Sequence, residues 1–372
     1  MTTTIAAPLA TVAPRAPGLL TESEWEKKYG LKLTEDPQAF ACLPREAYDH
    51  LPGINASLTK EVVDKTAAHA KALFDPDREK VDNASFLHGN LAHCQALEWD
   101  CYEERYVVLP EDAPKRPTER QLTPPKPGRN GEINTATKAY DAWAEAKQRE
   151  DWWLEFEHRF PNCCTAERIT AKDHEIGLKL ANAILKHPVL GPRFDRTDIN
   201  RAGNEITLTW IDSLSGARLK ARLDALRFMG DHIWIGDVKT AQDAGPGQDH
   251  FGRAAANFGY IIQAAFYRDA VYFCKTAIAQ ALGLNEISLL GLPIVYEWIA
   301  VEKACPRPEF IGRYLLTDEQ ESLGRQLARK AIDAIVQSQI TNYWPGYDTA
   351  ATPLQIPGYA YQKMLRQLEG AE

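Results

Sequence analysis

Two aspartates and a lysine lie at a spacing that could support metal-dependent chemistry. Asp224 lies in GARLKARLDALRF, Asp237 follows thirteen residues later in HIWIGDVKT, and Lys239 comes two residues after it. Both segments are predicted strands, and the short connection between them allows a hairpin that brings the aspartates together. Close carboxylates repel unless a cation lies between them, and oxygen ligands suit Mg²⁺ or Mn²⁺. A nearby lysine can stabilise the transition state, so the set predicts phosphodiester hydrolysis; a salt-bridged edge strand is the alternative.

Cations precede the first aspartate on the same strand. Alternation places Arg218, Lys220 and Arg222 on the face of Asp224 and apolar residues on the other face, which we expect to be core. We expect the cationic face to bind DNA. A second basic segment, the Pro-rich loop 110–131, contributes Lys126 and Arg129. This loop is either an arm that contacts phosphates or a solvated surface loop.

Helical segments supply further candidates. Gln263 and Tyr267 are four residues apart on a predicted helix that follows the Asp237 strand, where they share a face. His93 lies at helical spacing from apolar residues on an earlier helix, and Glu205 opens the strand before that of Asp224. Each has an ordinary alternative, because a histidine, a tyrosine or a glutamine on such a face is often a hydrogen-bonded core residue.

The order of the predicted elements indicates a mixed α/β (α+β) core, with a central mixed sheet flanked by helices. This order is helices, a meander of strands, a long helix and a further strand. We expect residues 1–40 to be a loosely ordered tail and residues 41–348 to form one domain. Residues 349–372 are expected to be a C-terminal tail that packs on this domain. A single helix is predicted over AANFGYIIQAAFYRDAVYFCKTA.

The composition narrows the classes of function. The 372 residues carry a net charge of −8, which argues against coating nucleic acid by bulk attraction but not against a nuclease whose carboxylates bind metal ions. Seven scattered cysteines without a CxxC pair argue against structural zinc. The sequence contains no long apolar run, no secretory signal pattern and no G-x-x-x-x-G-K-[ST] loop. We therefore expect a cytoplasmic protein that needs neither a membrane nor ATP.

In chain order, these residues resemble a known family. The motifs are F-x-x-G-x-x-x-H, then Glu, R-x-D, D-x-K-T and Q-x-x-x-Y, carried by Phe86, Gly89, His93, Glu205, Arg222, Asp224, Asp237, Lys239, Thr240, Gln263 and Tyr267. Their order is similar to that of the RecB-like branch of the PD-(D/E)XK nucleases, and within it to the RecE-like (exonuclease VIII-like) nuclease domain. The likeness covers most of the chain, from YDHLPGINASLTKEV to LQIPGYA.

The resemblance implies a restriction-endonuclease-like core and an ATP-independent exonuclease. Such an enzyme degrades linear double-stranded DNA from 5′ to 3′ as a ring-like oligomer and supplies a single-strand annealing partner in phage-type recombination. It implies that His93, Asp224, Asp237 and the Val238 carbonyl bind Mg²⁺, for which Mn²⁺ can substitute. Lys239 would act on the attacking water, Gln263 and Tyr267 would contact the substrate or support the site, and Glu205 would be a weaker support. No cysteine follows Cys305, so no iron–sulfur cluster is expected.

Two other functions stay open. A repair or defence endonuclease could be built on the same fold, and a requirement for free DNA ends would separate the two activities. A catalytically inactive relative could bind DNA or a recombination partner. The intact set of His93, Asp224, Asp237 and Lys239 argues against the inactive relative.

Overall fold

The computed structural model describes residues 20–74, 84–127, 131–285 and 289–369. Its strands form a six-stranded mixed sheet in the order β1-β4-β5-β6-β7-β8 and a separate parallel pair, β2-β3. In the large sheet only β6 and β7 run parallel. The strands are β1 Gln38–Phe40, β2 Tyr106–Leu109, β3 Glu167–Thr170, β4 Asn204–Ile211, β5 Arg218–Phe228, β6 Ile233–Ala241, β7 Ile294–Glu302 and β8 Ile311–Leu315.

Helices cover both faces of this sheet. They are α1 Glu22–Tyr29, α2 Arg45–His50, α3 Ala56–Asp64, α4 Ala67–Leu73, α5 Ala84–Leu97, α6 Tyr102–Arg105, α7 Glu119–Leu122, α8 Lys138–Arg159, α9 Ala171–Leu185, α10 Asp198–Ala202, α11 Phe251–Asn257, α12 Tyr260–Phe273, α13 Lys275–Ala281, α14 Asp318–Thr341 and α15 Gly358–Glu369. Apolar residues of α3, α12 and α14 pack with the sheet in one cluster, and residues of α5 and α9 pack with it in a second. The predicted mixed sheet between helical layers is confirmed.

The connection from β6 to β7 differs from the prediction of one long helix. Three helices, α11, α12 and α13, replace it, and α12 begins after Gly259, whose φ of +60° lies in the left-handed region. A left-handed residue interrupts the hydrogen bonding of a right-handed helix, and glycine adopts it with little strain.

The N-terminal segment folds where a tail was expected. Residues 20–40 contain α1 and β1, and with α2 they form a small apolar cluster around the fully buried Trp25. The indole of Trp25 donates a hydrogen bond to the Ala47 carbonyl at 2.8 Å. The prediction of a loose tail is therefore wrong for residues 20–40, while residues 1–19 lie outside the described part.

The described part of the basic loop, residues 110–127 and 131, contacts α8. The indole nitrogens of Trp143 and Trp153 donate to the carbonyls of Leu122 and Pro114, at 3.1 and 3.0 Å. Arg116 pairs with Glu157 at 2.5 Å and lies over the Trp153 ring. Lys126 is exposed, whereas Arg129 falls among residues that the structure does not describe. The segment is held to α8 by these contacts rather than being a free arm.

The predicted packing of residues 349–372 on the domain is not observed where this segment is described. Large apolar side chains there are exposed, among them Leu354 at 86%, Tyr359 at 80% and Leu368 at 78%. The segment carries α15 but buries little of its apolar surface. None of the described helices combines the length and the apolar character that crossing a membrane requires.

Candidate active site

The two predicted catalytic aspartates lie where β5 and β6 separate. Residues 225–228 of β5 pair with residues 233–236 of β6, and beyond them β5 pairs with β4 while β6 pairs with β7. Asp224 and Asp237 are the first residues past the last pair. The Val238 N–H donates to Asp224 Oδ2 at 2.8 Å, so this carboxylate supplies the acceptor that the separated strand no longer offers. The fork thus brings both carboxylates to one place.

Asp237 is buried and held by a cation and an amide. Its side chain is 1% exposed, its Oδ2 lies 2.6 Å from Lys239 Nζ, and Gln263 Nε2 donates to its Oδ1 at 3.3 Å. Burial by itself lowers the pKa of Lys239, but the charges of Asp237 and Asp224 outweigh it and raise that pKa. Lys239 is therefore an ammonium group at neutral pH, suited to stabilising negative charge rather than accepting a proton.

His93 reaches the same place from α5. Its Nε2 donates to the Val238 carbonyl at 2.9 Å and lies 3.7 Å from Asp224 Oδ2, while its Nδ1 lies 3.8 Å from Glu205 Oε1. Burial alone would lower the pKa of His93, yet the two carboxylates raise it to about 9. The protonated imidazole balances part of the negative charge that Glu205 and Asp224 bring together.

Burial and the neighbouring charges shift the pKa values of Asp224 and Glu205 in opposite directions. Burial, reinforced by the charge of Asp237, raises the pKa of Asp224 above its usual range although His93 and Lys239 oppose this. For Glu205, burial also acts upward, but hydrogen bonding to His93 and the charge of Arg222 prevail and lower its pKa. Such divergent shifts in one cluster are typical of functional sites.

Glu205, expected to be a minor support, is central to this cluster. It has a φ of +49°, a conformation that costs free energy for a residue with a side chain. Arg222 Nε donates to its Oε2 at 2.5 Å, and Arg222 also donates to Glu98 Oε1 at 3.2 Å and to the Leu43 carbonyl at 2.7 Å. These contacts fix the orientation of the Glu205 carboxylate beside His93.

The expectation that Arg218, Lys220 and Arg222 bind DNA is corrected by their burial. They are 9%, 3% and 4% exposed. Arg218 pairs with Glu22 at 2.7 Å, and Lys220 Nζ donates to the carbonyls of Tyr48, Asp49 and Leu51 at 2.9, 3.1 and 2.6 Å. The alternation placed them on one face as predicted, but the segment containing α1 and α2 covers that face. These cations join the N-terminal segment to the sheet.

Two further side chains flank the pair of Asp237 and Lys239. Tyr267 shares the α12 face of Gln263, as its spacing indicates, and is partly buried against the first core cluster. Lys60 of α3, which the sequence reasoning missed, donates to Gln263 Oε1 at 3.4 Å. Burial, together with the charge of Lys239, lowers the pKa of Lys60 to about 8. Its segment, SLTKEVV, looks like an ordinary amphipathic helix, so its place at the site is visible only in the fold.

The donors at the fork fit a divalent cation. One ligand atom each from His93, Glu205 and Asp224 lie within 4.8 Å of one another, and the Val238 carbonyl adjoins them. Asp237 stands apart from this group, and its Oδ2 is paired with Lys239. Three oxygens and one imidazole suit Mn²⁺ or Mg²⁺ better than a thiophilic metal.

Comparisons with known proteins identify the family of this chain. One solved structure, from Eubacterium rectale and named "Putative exonuclease", is 13% identical to this chain, with a TM-score of 0.45 over 88% of this chain and 96% of that one. No curated protein matches the sequence. The sequence profile described as "PDDEXK-like domain of unknown function (DUF3799)" matches residues 56–281, more than half of the chain, including His93, Asp224 and Lys239. The chain belongs to this family of PDDEXK-like domains.

Proposed function

We propose that this protein is a metal-dependent exonuclease that hydrolyses phosphodiester bonds of linear double-stranded DNA. The observation that carries the proposal is the fork, where Asp224 and Asp237 meet and Lys239 Nζ lies 2.6 Å from Asp237. Membership of a PDDEXK-like family supports hydrolysis of nucleic acid as the reaction class. A partly buried lysine, a partly buried histidine and three carboxylates lie together at this fork, which supports a shared chemical role.

Each residue has a role that follows from its contacts. His93, Glu205, Asp224 and the Val238 carbonyl would hold the cation. A divalent ion held there would make a bound water more acidic and would stabilise negative charge on the phosphate. Lys239, kept charged by Asp237, would orient the attacking water and stabilise the charge that develops in the transition state.

A second group of residues, Gln263, Lys60 and Tyr267, supports the metal ligands and Lys239. Gln263 bonds both Asp237 and Lys60, so it holds the carboxylate in position and links it to a second cation. We propose that Lys60 contacts a phosphate of the DNA strand, and that Tyr267 supports α12 below Gln263 rather than touching the substrate. With Lys60 and Lys239 at the site, a chain of net negative charge still offers local positive charge to DNA.

The finer features rest on the resemblance to RecE-like nucleases. We propose that the enzyme starts at duplex ends, works from 5′ to 3′, uses Mg²⁺ without ATP, and acts as a ring-like oligomer that hands single strands to an annealing protein in recombination. We expect Lys126, an exposed residue of the basic loop, to contact DNA.

Digestion of linear and covalently closed circular duplexes of the same sequence tests the proposal. We expect Mg²⁺ or Mn²⁺ to support release of nucleotides from the linear form alone, with no release in EDTA and no effect of ATP. Cleavage of the closed circle at a comparable rate would instead indicate an endonuclease. No cleavage of either form by a protein that binds metal would indicate an inactive relative.

A further inference from the structure

A pocket of about 430 Å³ lies between α5 and α9, away from the metal cluster. Gln95 lines it and follows His93 on α5 by two residues, which is about 200° around a helix. The two side chains therefore point to opposite sides of α5. Residues of this pocket have no part in the chemistry assigned to the fork.

The pocket contains a buried acceptor without a partner. Gln95 is 8% exposed, and its Oε1 accepts no hydrogen bond from any residue that the structure describes. The other end of this side chain has a neighbour, since Nε2 lies 3.5 Å from His174 Nδ1, and this nitrogen lies 2.7 Å from the Tyr102 hydroxyl. An amide oxygen buried in this way loses free energy unless a ligand or a water donates to it. The wall of the pocket thus contains an acceptor that has no partner among the described residues.

Aromatic, apolar and charged groups line the rest of the pocket. Arg196 lies over the Trp99 ring at 5.1 Å, and Leu178, 41% exposed, lies at the same opening. An indole with a guanidinium above it is a platform on which planar rings stack. Two carboxylates also line the pocket: that of Asp100 is paired with Arg201 at 2.8 Å, and that of Glu103 can accept from N–H donors.

We propose that this pocket binds a nucleobase through stacking at Trp99 and Arg196 and through an N–H that donates to Gln95 Oε1. The choice of a nucleobase among planar ligands rests on the proposed function, because a nuclease works beside bases and nucleotides. Bases with an amino group offer the donor that Gln95 requires. The base comes from a released mononucleotide or from a single strand produced by digestion, and the same contacts serve both.

Binding of deoxycytidine monophosphate, measured by calorimetry in EDTA, tests the pocket without hydrolysis. We expect Arg196→Ala and Gln95→Leu to weaken binding by about fivefold or more, the range of losing one stacking or hydrogen-bonding partner of a base. Arg366→Ala, the same substitution at an exposed arginine of α15, should leave binding unchanged. Arg196 is exposed, so its variant keeps the test valid even if the Gln95 variant unfolds.

Control ligands identify what the pocket recognises. Deoxyribose 5-phosphate, which lacks the base, should not bind, and equal binding of this sugar phosphate would overturn the proposal. An oligodeoxycytidylate and its abasic counterpart test the second source of the base. If the Arg196 and Gln95 variants lose affinity for the oligonucleotide alone, the site binds a base of a single strand. If they also lose affinity for the mononucleotide, the site binds the released product as well.

The proposal fails if the variants bind both ligands as the unaltered protein does, or if neither ligand binds. Metal-dependent digestion of linear duplex by the same preparations keeps this result separate from the proposed function. A protein that digests DNA but fails the binding assay overturns only the pocket. A protein that binds the base in the predicted way but digests no DNA overturns only the nuclease.

Discussion

Strand β5 carries two sets of charged groups that lie in different surroundings. Its first half presents Arg218, Lys220 and Arg222, which are buried and bonded to the N-terminal segment and to neighbouring carboxylates. Its next residue of the same alternation, Asp224, lies at the fork with β6 beside His93 and Glu205. Spacing along the strand does not distinguish the two sets. The two sets differ in the residues, distant in the sequence, that contact them in the fold.

The first set has a structural role, and the charged residues at the fork form the proposed catalytic set. The three cations are matched by fixed acceptors, so a ligand has little left to bind. At the fork three carboxylates share a histidine and a lysine as counter-charges, an arrangement that a divalent cation would complete. Arg222 connects the two sets because it holds Glu205 in place. The sets can therefore be separated by substitution.

The largest expected effect comes from breaking the structural set at Arg222. Arg222→Met should lower the free energy of unfolding by about 3–5 kcal/mol, because it leaves Glu205 and Glu98 buried with less compensating charge. Chemical denaturation measures it. Arg253→Met removes an exposed ion pair with Asp249 and should change stability by no more than about 0.5 kcal/mol. Equal stability of the two variants would refute a structural role for Arg222.

Lys239 tests the catalytic set. Lys239→Ala should lower the rate of linear duplex digestion by about 10²–10³, as expected for loss of a transition-state stabiliser, while the variant still binds DNA. Digestion of end-labelled duplex and a gel-shift assay measure the two properties. Lys65→Ala, which removes a more exposed lysine paired with Glu61, is the matched control and should digest normally. Wild-type digestion by the Lys239 variant would remove it from the mechanism.

The pH dependence of metal binding tests His93. Its pKa, raised to about 9 without metal, means that it is protonated at neutral pH and must lose that proton to bind a cation. Metal affinity should therefore rise by about tenfold per pH unit between pH 7 and 9 and level off above. Calorimetry in buffers of different ionisation enthalpy should detect about one proton released per Mg²⁺ near pH 7.5, and much less for His93→Gln. A plateau already above about pH 6.5 would mean that the pKa of His93 is not raised.

The smallest effect is expected at the basic loop. Lys126→Ala should weaken DNA binding slightly and reduce the slope of log affinity against log salt by about 1, the contribution of one phosphate contact. Arg116→Ala should change stability instead, because this side chain pairs with Glu157 and lies over Trp153. Salt titrations of DNA binding distinguish them. If the Arg116 variant alone changed the slope, the roles of the two cations would be reversed.

The sequence predicted the local part of this account well. Alternation placed Asp224 with the three cations, and the short connection placed Asp237 opposite. It did not predict what covers the cations, since Glu22 and Tyr48 are about 200 and 170 residues away in the chain. Burial of charge depends on such distant partners. The row of cations therefore looked like a DNA-binding surface.

The other differences between the sequence predictions and the structure also have physical causes. One is a single backbone conformation, and the others are contacts between residues far apart in the chain. The break at Gly259 depends on one left-handed residue, which apolar periodicity does not reveal. Glu205 looked like a weak candidate because its importance comes from His93 and Arg222, neither adjacent in sequence. Lys60 enters the site only because α3 packs beside α12. Motif order predicted His93, and the fold placed it 3.7 Å from Asp224.

We expect above all that the carboxylates at the fork bind a divalent cation. Calorimetric titration of Mn²⁺ into the unaltered protein and into Asp224→Asn tests it most directly, with Asp249→Asn, an exposed aspartate outside the cluster, as control. The account predicts a saturable site that the Asp224 variant loses and the control keeps. Wild-type Mn²⁺ affinity in the Asp224 variant would contradict it.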